Sequence, residues 1–284
     1  MNGRTKSAVA AAVAAAALAV PAAASPSWAW GSSSSDDGQY AVGLGPDGKK
    51  LVTFRTERAN KVKVLGSVRG LVGDTRLVGI DYRVQDRRLY GVGDAGGVYT
   101  IKGNRATKVS QLTTALSGTM FGVDFNPAAN RLRVISDTGQ NLRHNIDDGV
   151  TAGTTAVDGV LTYPPATRPA LGVTAAAYTN NDLDLTTATT LFDLDVTLDQ
   201  VAIQAPANAG TLSPTGTLGV EASVAGFDIV SETQAGVTVR NTGYAVLKVG
   251  DKTSLRRIDL LTGKAGKATK LPYPVADLAI AIDK

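Results

Sequence analysis

One short phrase recurs along this chain. A small residue, an apolar residue, an aspartate and a second apolar residue follow one another in Gly79-Ile80-Asp81-Tyr82, Gly122-Val123-Asp124-Phe125 and Gly226-Phe227-Asp228-Ile229. Weaker copies, Ala175-Ala176-Ala177-Tyr178 and Asp277-Leu278-Ala279-Ile280, fill the gaps. The third position therefore falls at residues 81, 124, 177, 228 and 279, with separations of 43, 53, 51 and 51. Self-similarity at a period of about 40–50 residues signals one supersecondary unit that buries its apolar faces only by packing on copies of itself.

Each phrase is followed by strand-like text in the same order. After Asp81 come Arg88 to Val92, then Val98 to Ile101, then Lys108-Val109 leading to Leu112. After Asp124, Arg131 to Ser136 is reversed at Asp137-Thr138-Gly139, and Asn141 to Ile146 returns before Asp147-Asp148-Gly149. The last unit supplies Gly243 to Val249, Leu255 to Leu260 and a turn at Thr262-Gly263-Lys264. Short runs rich in Val, Ile, Leu, Tyr and Thr between Gly, Asn and Asp clusters are the signature of strands and tight turns. Helical periodicity is hard to find after residue 38.

The two ends of the chain complete the arithmetic. Gln39 to Leu44, Lys50 to Thr56 and Lys61 to Val68 read as three strands with no preceding inner-strand phrase, whereas the C-terminal phrase has nothing after it. Joining them makes a fifth unit from both termini and removes two exposed strand edges. The expected fold is all-β, a five-bladed β-propeller closed by pairing of the N- and C-terminal segments. A β-sandwich is the alternative, disfavoured because sandwiches seldom repeat one phrase at even spacing.

Residues 1–24 have the composition of a secretory leader. Arg4 and Lys6 precede an apolar run from Ala8 to Val20, and Ala22-Ala23-Ala24 offers a cleavage site before Ser25, with Ala29 a later one. Residues 25–38 read as a flexible Ser/Gly-rich linker, and 39–284 as a single propeller-like domain. Removing the leader leaves 27 basic against 25 acidic residues, a net charge of +2. The Lys and Arg are scattered, so no nucleic-acid partner is expected. Clusters such as Arg87-Arg88 and Arg256-Arg257 read as solvated surface. No later apolar run is long enough to span a bilayer. The chain has no cysteine, so burial rather than disulfides must stabilise it. These features predict a secreted, extracellular or envelope-associated monomer.

The runs Leu77-Val78-Gly79-Ile80-Asp81-Tyr82-Arg83, Phe121 to Pro127, Arg131 to Arg143 and Ala175 to Asn180 resemble a bacterial exported family known as domain of unknown function 4394. The likeness extends over roughly residues 39 to 283, and the run through Asp137-Thr138-Gly139-Gln140-Asn141 is its most specific part. The resemblance implies an exported protein with no assigned activity and carries no functional residues with it.

Candidate chemistry is sparse. The single histidine, His144, lies in a strand of the third unit, where an ordinary surface or half-buried role is expected rather than a catalytic triad. One histidine and no cysteine exclude the usual zinc sites. Gly45-Pro46-Asp47-Gly48 and Gly91 to Gly96 read as hairpin turns rather than phosphate-binding loops, because neither opens a helix. Asp193, Asp195 and Asp199 place oxygen ligands at alternate positions, as some calcium loops do, and are weak metal candidates. Alternation in a strand also means simply one wet face, the reading preferred for them and for Asp182 and Asp184.

The remaining candidate is the phrase itself. If the phrases are inner strands, Asp81, Asp124 and Asp228 face one central channel, with Ala177 and Ala279 completing the ring. There they would bind a cation, act as the acid and base of a glycoside hydrolase, or, as preferred, brace their own blade turns by accepting backbone N–H bonds. No cofactor is expected beyond a structural Ca2+. The leading expectation is an exported, non-catalytic module that holds an extracellular protein or glycan with blade-end loops. A carbohydrate-active hydrolase using the channel carboxylates is the alternative.

Overall fold

The computed structural model describes residues 38–184 and 186–282. The leader and nearly all of the linker lie outside the described residues. Among the described residues, twenty strands form five four-stranded antiparallel sheets. Blade 1 comprises β1 (Tyr40–Leu44), β2 (Lys50–Arg55), β3 (Lys63–Ser67) and, innermost, β20 (Asp277–Ile280). Blade 2 runs outward from β4 (Leu77–Arg83) through β5 (Arg88–Gly93) and β6 (Gly97–Lys102) to β7 (Arg105–Gln111). Blade 3 has β8 (Phe121–Asn126), β9 (Arg131–Ser136), β10 (Asn141–His144) and β11 (Thr155–Val157). Blade 4 has β12 (Val173–Tyr178), β13 (Leu191–Asp195), β14 (Gln200–Gln204) and β15 (Leu212–Thr217). Blade 5 has β16 (Val224–Gln234), β17 (Val237–Val249), β18 (Lys252–Ile258) and β19 (Thr269–Lys270).

The closure expected from the termini is present. Strand β20 pairs with β1 in antiparallel register, Ala41 opposite Ile280 and Leu44 opposite Asp277. The inner strands β4, β8, β12, β16 and β20 contact one another in a ring. This is a five-bladed propeller, and the sandwich alternative is excluded.

Alternation explains why blade strands read as continuous apolar runs. In β1, Ala41 packs toward blade 5 and Val42 toward blade 2. In β17, Ala245 and Leu247 pack toward blade 4, whereas Tyr244 and Val246 pack toward blade 1. The core is thus five apolar clusters, one in each gap between blades. A sheet sandwiched between two others has no wet face along its inner half.

The same packing explains the glycine that opens three of the phrases. A Cβ on Gly226 would come within 2.4 Å of Asp277 Cα, and one on Gly79 within 2.4 Å of Val123. Neighbouring inner strands approach too closely there for a side chain.

Three readings of the sequence need correction. Gly91 to Gly93 belong to β5, so only Asp94 to Gly96 form the expected turn. Asp193, Asp195 and Asp182 do not face water: they are 0%, 1% and 7% exposed. Strand β17 begins six residues before the expected Gly243, so it and β16 form the longest hairpin of the molecule.

Candidate functional site

The phrase aspartates meet as expected. Asp81, Asp124 and Asp228 are buried, and each offers a carboxylate oxygen within 4.8 Å of the others. Their hydrogen bonds differ from the expectation in one respect. Rather than bracing only its own blade, each carboxylate reaches the inner strand of the next one. Phe125 N–H of blade 3 donates to Asp81 Oδ2 at 2.8 Å, and Tyr178 N–H of blade 4 to Asp124 Oδ1 at 3.0 Å. Ile280 N–H of blade 1 donates to Asp228 Oδ2 at 2.5 Å, while Asp228 Oδ1 also accepts from its own neighbour Ile229 at 2.6 Å.

A fourth buried carboxylate lies outside this 4.8 Å group but acts on it through its charge. Asp277 is 7% exposed, and its Oδ2 accepts from Ile80 N–H of blade 2 at 2.8 Å. It stands two residues before Ala279, the position aligned with the other aspartates. Residues i and i+2 of a strand share a face, so period-2 alternation was the signal that could have found it.

Burial pushes all four carboxyls up. Asp228 rises to about 7 and Asp277 to about 8, backbone N–H bonds opposing the rise in both. Asp81 and Asp124 are held well above the ordinary carboxylate range, first by burial and then by the charges of the other carboxylates, Asp277 among them. Protons, or a cation, must compensate charge gathered so closely.

The mouth of the channel, where the inner strands begin, is a cavity of about 130 Å3 lined by Val78, Phe121, Thr174, Ala225 and Asp277 among others. Larger recesses lie between blades. One of about 750 Å3 separates blades 4 and 5, and its lining includes Asn180, Asn241, Thr242, Arg257, Asp259 and Lys264. Strand β17 contributes Asn241 and Thr242 to it.

The other candidates do not assemble. Asp195 is taken up by Thr197 N–H, Leu198 N–H and the Tyr163 hydroxyl, and Asp199 by Ala222 N–H. Asp193 faces the gap between blades 3 and 4, where both of its oxygens are buried without a hydrogen-bond partner and burial drives its pKa up. These three form no cluster with metal-ligand spacing among the described residues. Asp182 is buried and accepts from Thr238 N–H at 2.9 Å, and Asp184 caps Thr186.

His144 is fully buried, not half-buried. Its Nε2 is 2.8 Å from Ser110 Oγ and its Nδ1 3.0 Å from Thr155 Oγ1. Thr155 Oγ1 also accepts from Thr113 N–H at 2.9 Å, so both ring nitrogens are engaged by hydroxyls of neighbouring strands rather than by a carboxylate that would orient a catalytic base. Burial holds the imidazole pKa below its ordinary value, so His144 is a neutral structural link.

The class is therefore a five-bladed propeller whose inner strands are tied to one another by channel-facing carboxylates. The chain belongs to the family described as domain of unknown function 4394, whose model matches residues 50–279. No curated protein matches the sequence. Among solved structures, a protein of unknown function from Bacteroides thetaiotaomicron VPI-5482 is similar at 13% identity and a TM-score of 0.45, over 86% of this chain and 67% of that one. The Dos1 propeller is similar at 10% identity and a TM-score of 0.42, over 82% of this chain and 62% of that one. The chain spans about two thirds of the length of these structures. Among the described residues, no helix is long and apolar enough to cross a membrane.

Proposed function

We propose that this protein is an exported, non-catalytic binding module that holds an extracellular protein or glycan through loops at the blade ends. The observation that carries this reading is the contrast in size and chemistry between the channel and the inter-blade cleft. Ligand sites usually occupy about 300–1,000 Å3. The cleft between blades 4 and 5, at about 750 Å3, falls within that range and offers amide, hydroxyl and charged groups of both signs. The channel mouth, at about 130 Å3, is too small for a sugar ring and its neighbours.

The hydrolase alternative is weaker on geometric grounds. Glycosidases hold their carboxyl pair about 5–5.5 Å apart when retaining and about 6.5–9.5 Å apart when inverting, with the substrate between them. Here the three carboxylates are buried and each already accepts backbone N–H bonds, so none of them faces an open substrate cleft. The leader-like start of the sequence supports export.

The test is a thermal-shift screen of soluble glycans and envelope peptides, run beside an assay for sugar release. A ligand that raises Tm for wild type, but not for a cleft-filling Thr242→Trp variant, is the expected result. Sugar release that disappears in Asp81→Asn would overturn the proposal in favour of hydrolysis.

A further inference from the structure

Charge is divided unevenly around the ring. Residues 38–111, which hold β1 to β3 and all of blade 2, carry 14 Lys and Arg against six Asp and Glu. Residues 112–270, which hold blades 3 to 5, carry 12 against 15. Part of the excess converges on one place. A recess of about 670 Å3 between blades 1 and 2 is lined by Arg87, Arg88, Lys102 and Arg105, with no Asp or Glu in its lining. Among the described residues, none of these four side chains forms an ion pair. The doublet Arg87-Arg88, which the sequence suggests is solvated surface, is thus half of a cationic wall.

Two turns present the cations. Lys102 and Arg105 flank the β6–β7 turn, which is fixed to the chain leaving blade 1. There Arg69 N–H donates to Asn104 O at 2.9 Å, Ala106 N–H to Arg69 O at 2.7 Å and the Asn104 side-chain amide to Ser67 O at 2.8 Å. Arg87 stands in the β4–β5 turn with a φ of 55°, and the corresponding turn of blade 3 has Asn130 at a φ of 51°. The two turns match, Arg87 N–H bonding Arg83 O as Asn130 N–H bonds Asn126 O. Asparagine tolerates this left-handed backbone, whereas arginine is disfavoured in it. Blade 2 therefore keeps an arginine at a backbone cost in a turn where its charge has no partner.

Aromatic and hydroxyl groups complete the lining. Tyr40 and Tyr82 join it from β1 and β4, neither hydroxyl having a hydrogen-bond partner among the described residues, and Thr100 and Thr107 lie beside them. Burial pushes the Tyr82 hydroxyl up to about 12, Tyr40 adding to the rise, so it remains a proton donor at neutral pH. Val42, Leu89 and Ile101 form an apolar floor.

We infer that this recess binds an acidic oligosaccharide, its carboxylate or sulfate groups held by Arg87, Arg88, Lys102 and Arg105 and its rings laid against Tyr40 and Tyr82. Guanidinium forks match paired anionic oxygens. Aromatic rings with polar tips serve the apolar and hydroxylated sides of a sugar. The volume lies within the ~300–1,000 Å3 of small-ligand sites. A nucleic-acid strand would need instead a basic groove that follows a long backbone. The site is separate from the cleft between blades 4 and 5, so either reading can fail alone.

The test is calorimetry on the full chain with tetragalacturonate, a heparin tetrasaccharide and neutral maltotetraose. One or both acidic ligands are expected to bind about tenfold or more tightly than maltotetraose, and to weaken as NaCl is raised from about 50 to about 300 mM. Arg87→Asn supplies the residue that blade 3 uses, so Tm should hold or rise while affinity falls about tenfold. Arg105→Gln should weaken binding by a similar factor, and Thr242→Trp should leave it unchanged. Failure of both acidic ligands to bind, or equal binding of maltotetraose, overturns the site. Tighter binding of a short single-stranded DNA or of phosphatidylglycerol vesicles overturns the choice of a glycan. Undiminished affinity in Arg87→Asn overturns the part given to that arginine, and loss of binding in Thr242→Trp overturns the location.

Discussion

Four of the five inter-blade junctions are tied at the axis by a carboxylate, and the fifth is not. Asp81 ties blade 2 to blade 3, Asp124 blade 3 to blade 4, Asp228 blade 5 to blade 1, and Asp277 blade 1 to blade 2. Between blades 4 and 5 the corresponding residue is Ala177, and the N–H that ring symmetry would offer it, that of Ile229, is taken by Asp228 of its own strand. That junction is tied instead at the far ends of the inner strands. Asn180 and Asn241 exchange hydrogen bonds, Asn181 bonds Ser231 Oγ and Ile229 O, and Asp182 accepts from Thr238 N–H. The lengthened β16–β17 hairpin exists where it supplies these partners. The same mechanical task is met with carboxylates at four junctions and mainly with neutral amides at the fifth, where an inter-blade recess of about 750 Å3 also opens.

The comparison breaks most visibly if a fifth carboxylate is added. Ala177 is fully buried, and the Ile229 N–H that ring symmetry would offer an aspartate there is already taken. Ala177→Asp is therefore expected to cost about 3 kcal/mol or more, or to prevent folding. A urea midpoint within error of wild type would show that the fifth junction tolerates the same device.

The second effect is electrostatic. The folded pKa values of Asp81, Asp124, Asp228 and Asp277 are raised above the unfolded values. The folded state thus holds protons that the unfolded state releases, and stability is greatest below the unfolded carboxylate range and falls as pH rises toward the folded values. In chelator, wild-type Tm is expected to fall by about 5 °C or more between pH 5 and pH 8.5. His144, whose pKa is lowered, acts in the opposite direction, gaining stability as pH rises through its unfolded value. Asp124→Asn retains His144 but mimics the protonated acid, so its Tm advantage over wild type should grow with pH. An advantage that stays flat across that range would refute the charge account.

At pH 5, with charge largely removed, the bond itself can be weighed. Asp124→Ala leaves Tyr178 N–H buried without an acceptor, whereas Asp124→Asn keeps one. The alanine variant should be less stable than the asparagine variant by about 1–3 kcal/mol. Equal denaturation midpoints would mean that the tie contributes nothing. The smallest effect belongs to the neutral junction. Asn241→Ala removes acceptors from Asn180 N–H and Ser231 Oγ at a half-buried site, and about 1 kcal/mol is expected. A loss as large as that from the buried axial bond would erase the distinction between the two kinds of junction.

Much of this was legible before any coordinates. The repeated phrase and the unpaired units at both termini specified five blades and their closure, and three of the four axial carboxylates were found by position. Asp277 escaped because the copies were aligned on their third residue, although alternation places it on the same face. The place of Thr174 at the channel mouth was not legible, since it depends on a bulge that shifts one residue out of a regular ladder. Asp193 and Asp195 were misread because alternation was taken to imply a wet face, and between two blades neither face is wet.

The division has a physical basis. Strand periodicity, turn residues and the spacing of repeats are local properties written in order along the chain, so the sequence by itself determined the number of blades, their strands and the side of each strand that faces the axis. Which oxygen meets which N–H across a gap depends on residues between about 44 and 200 positions apart brought within 3 Å. Only the closed ring decided that the phrase aspartates hold the neighbouring blade and that a fourth carboxylate, Asp277, does the same.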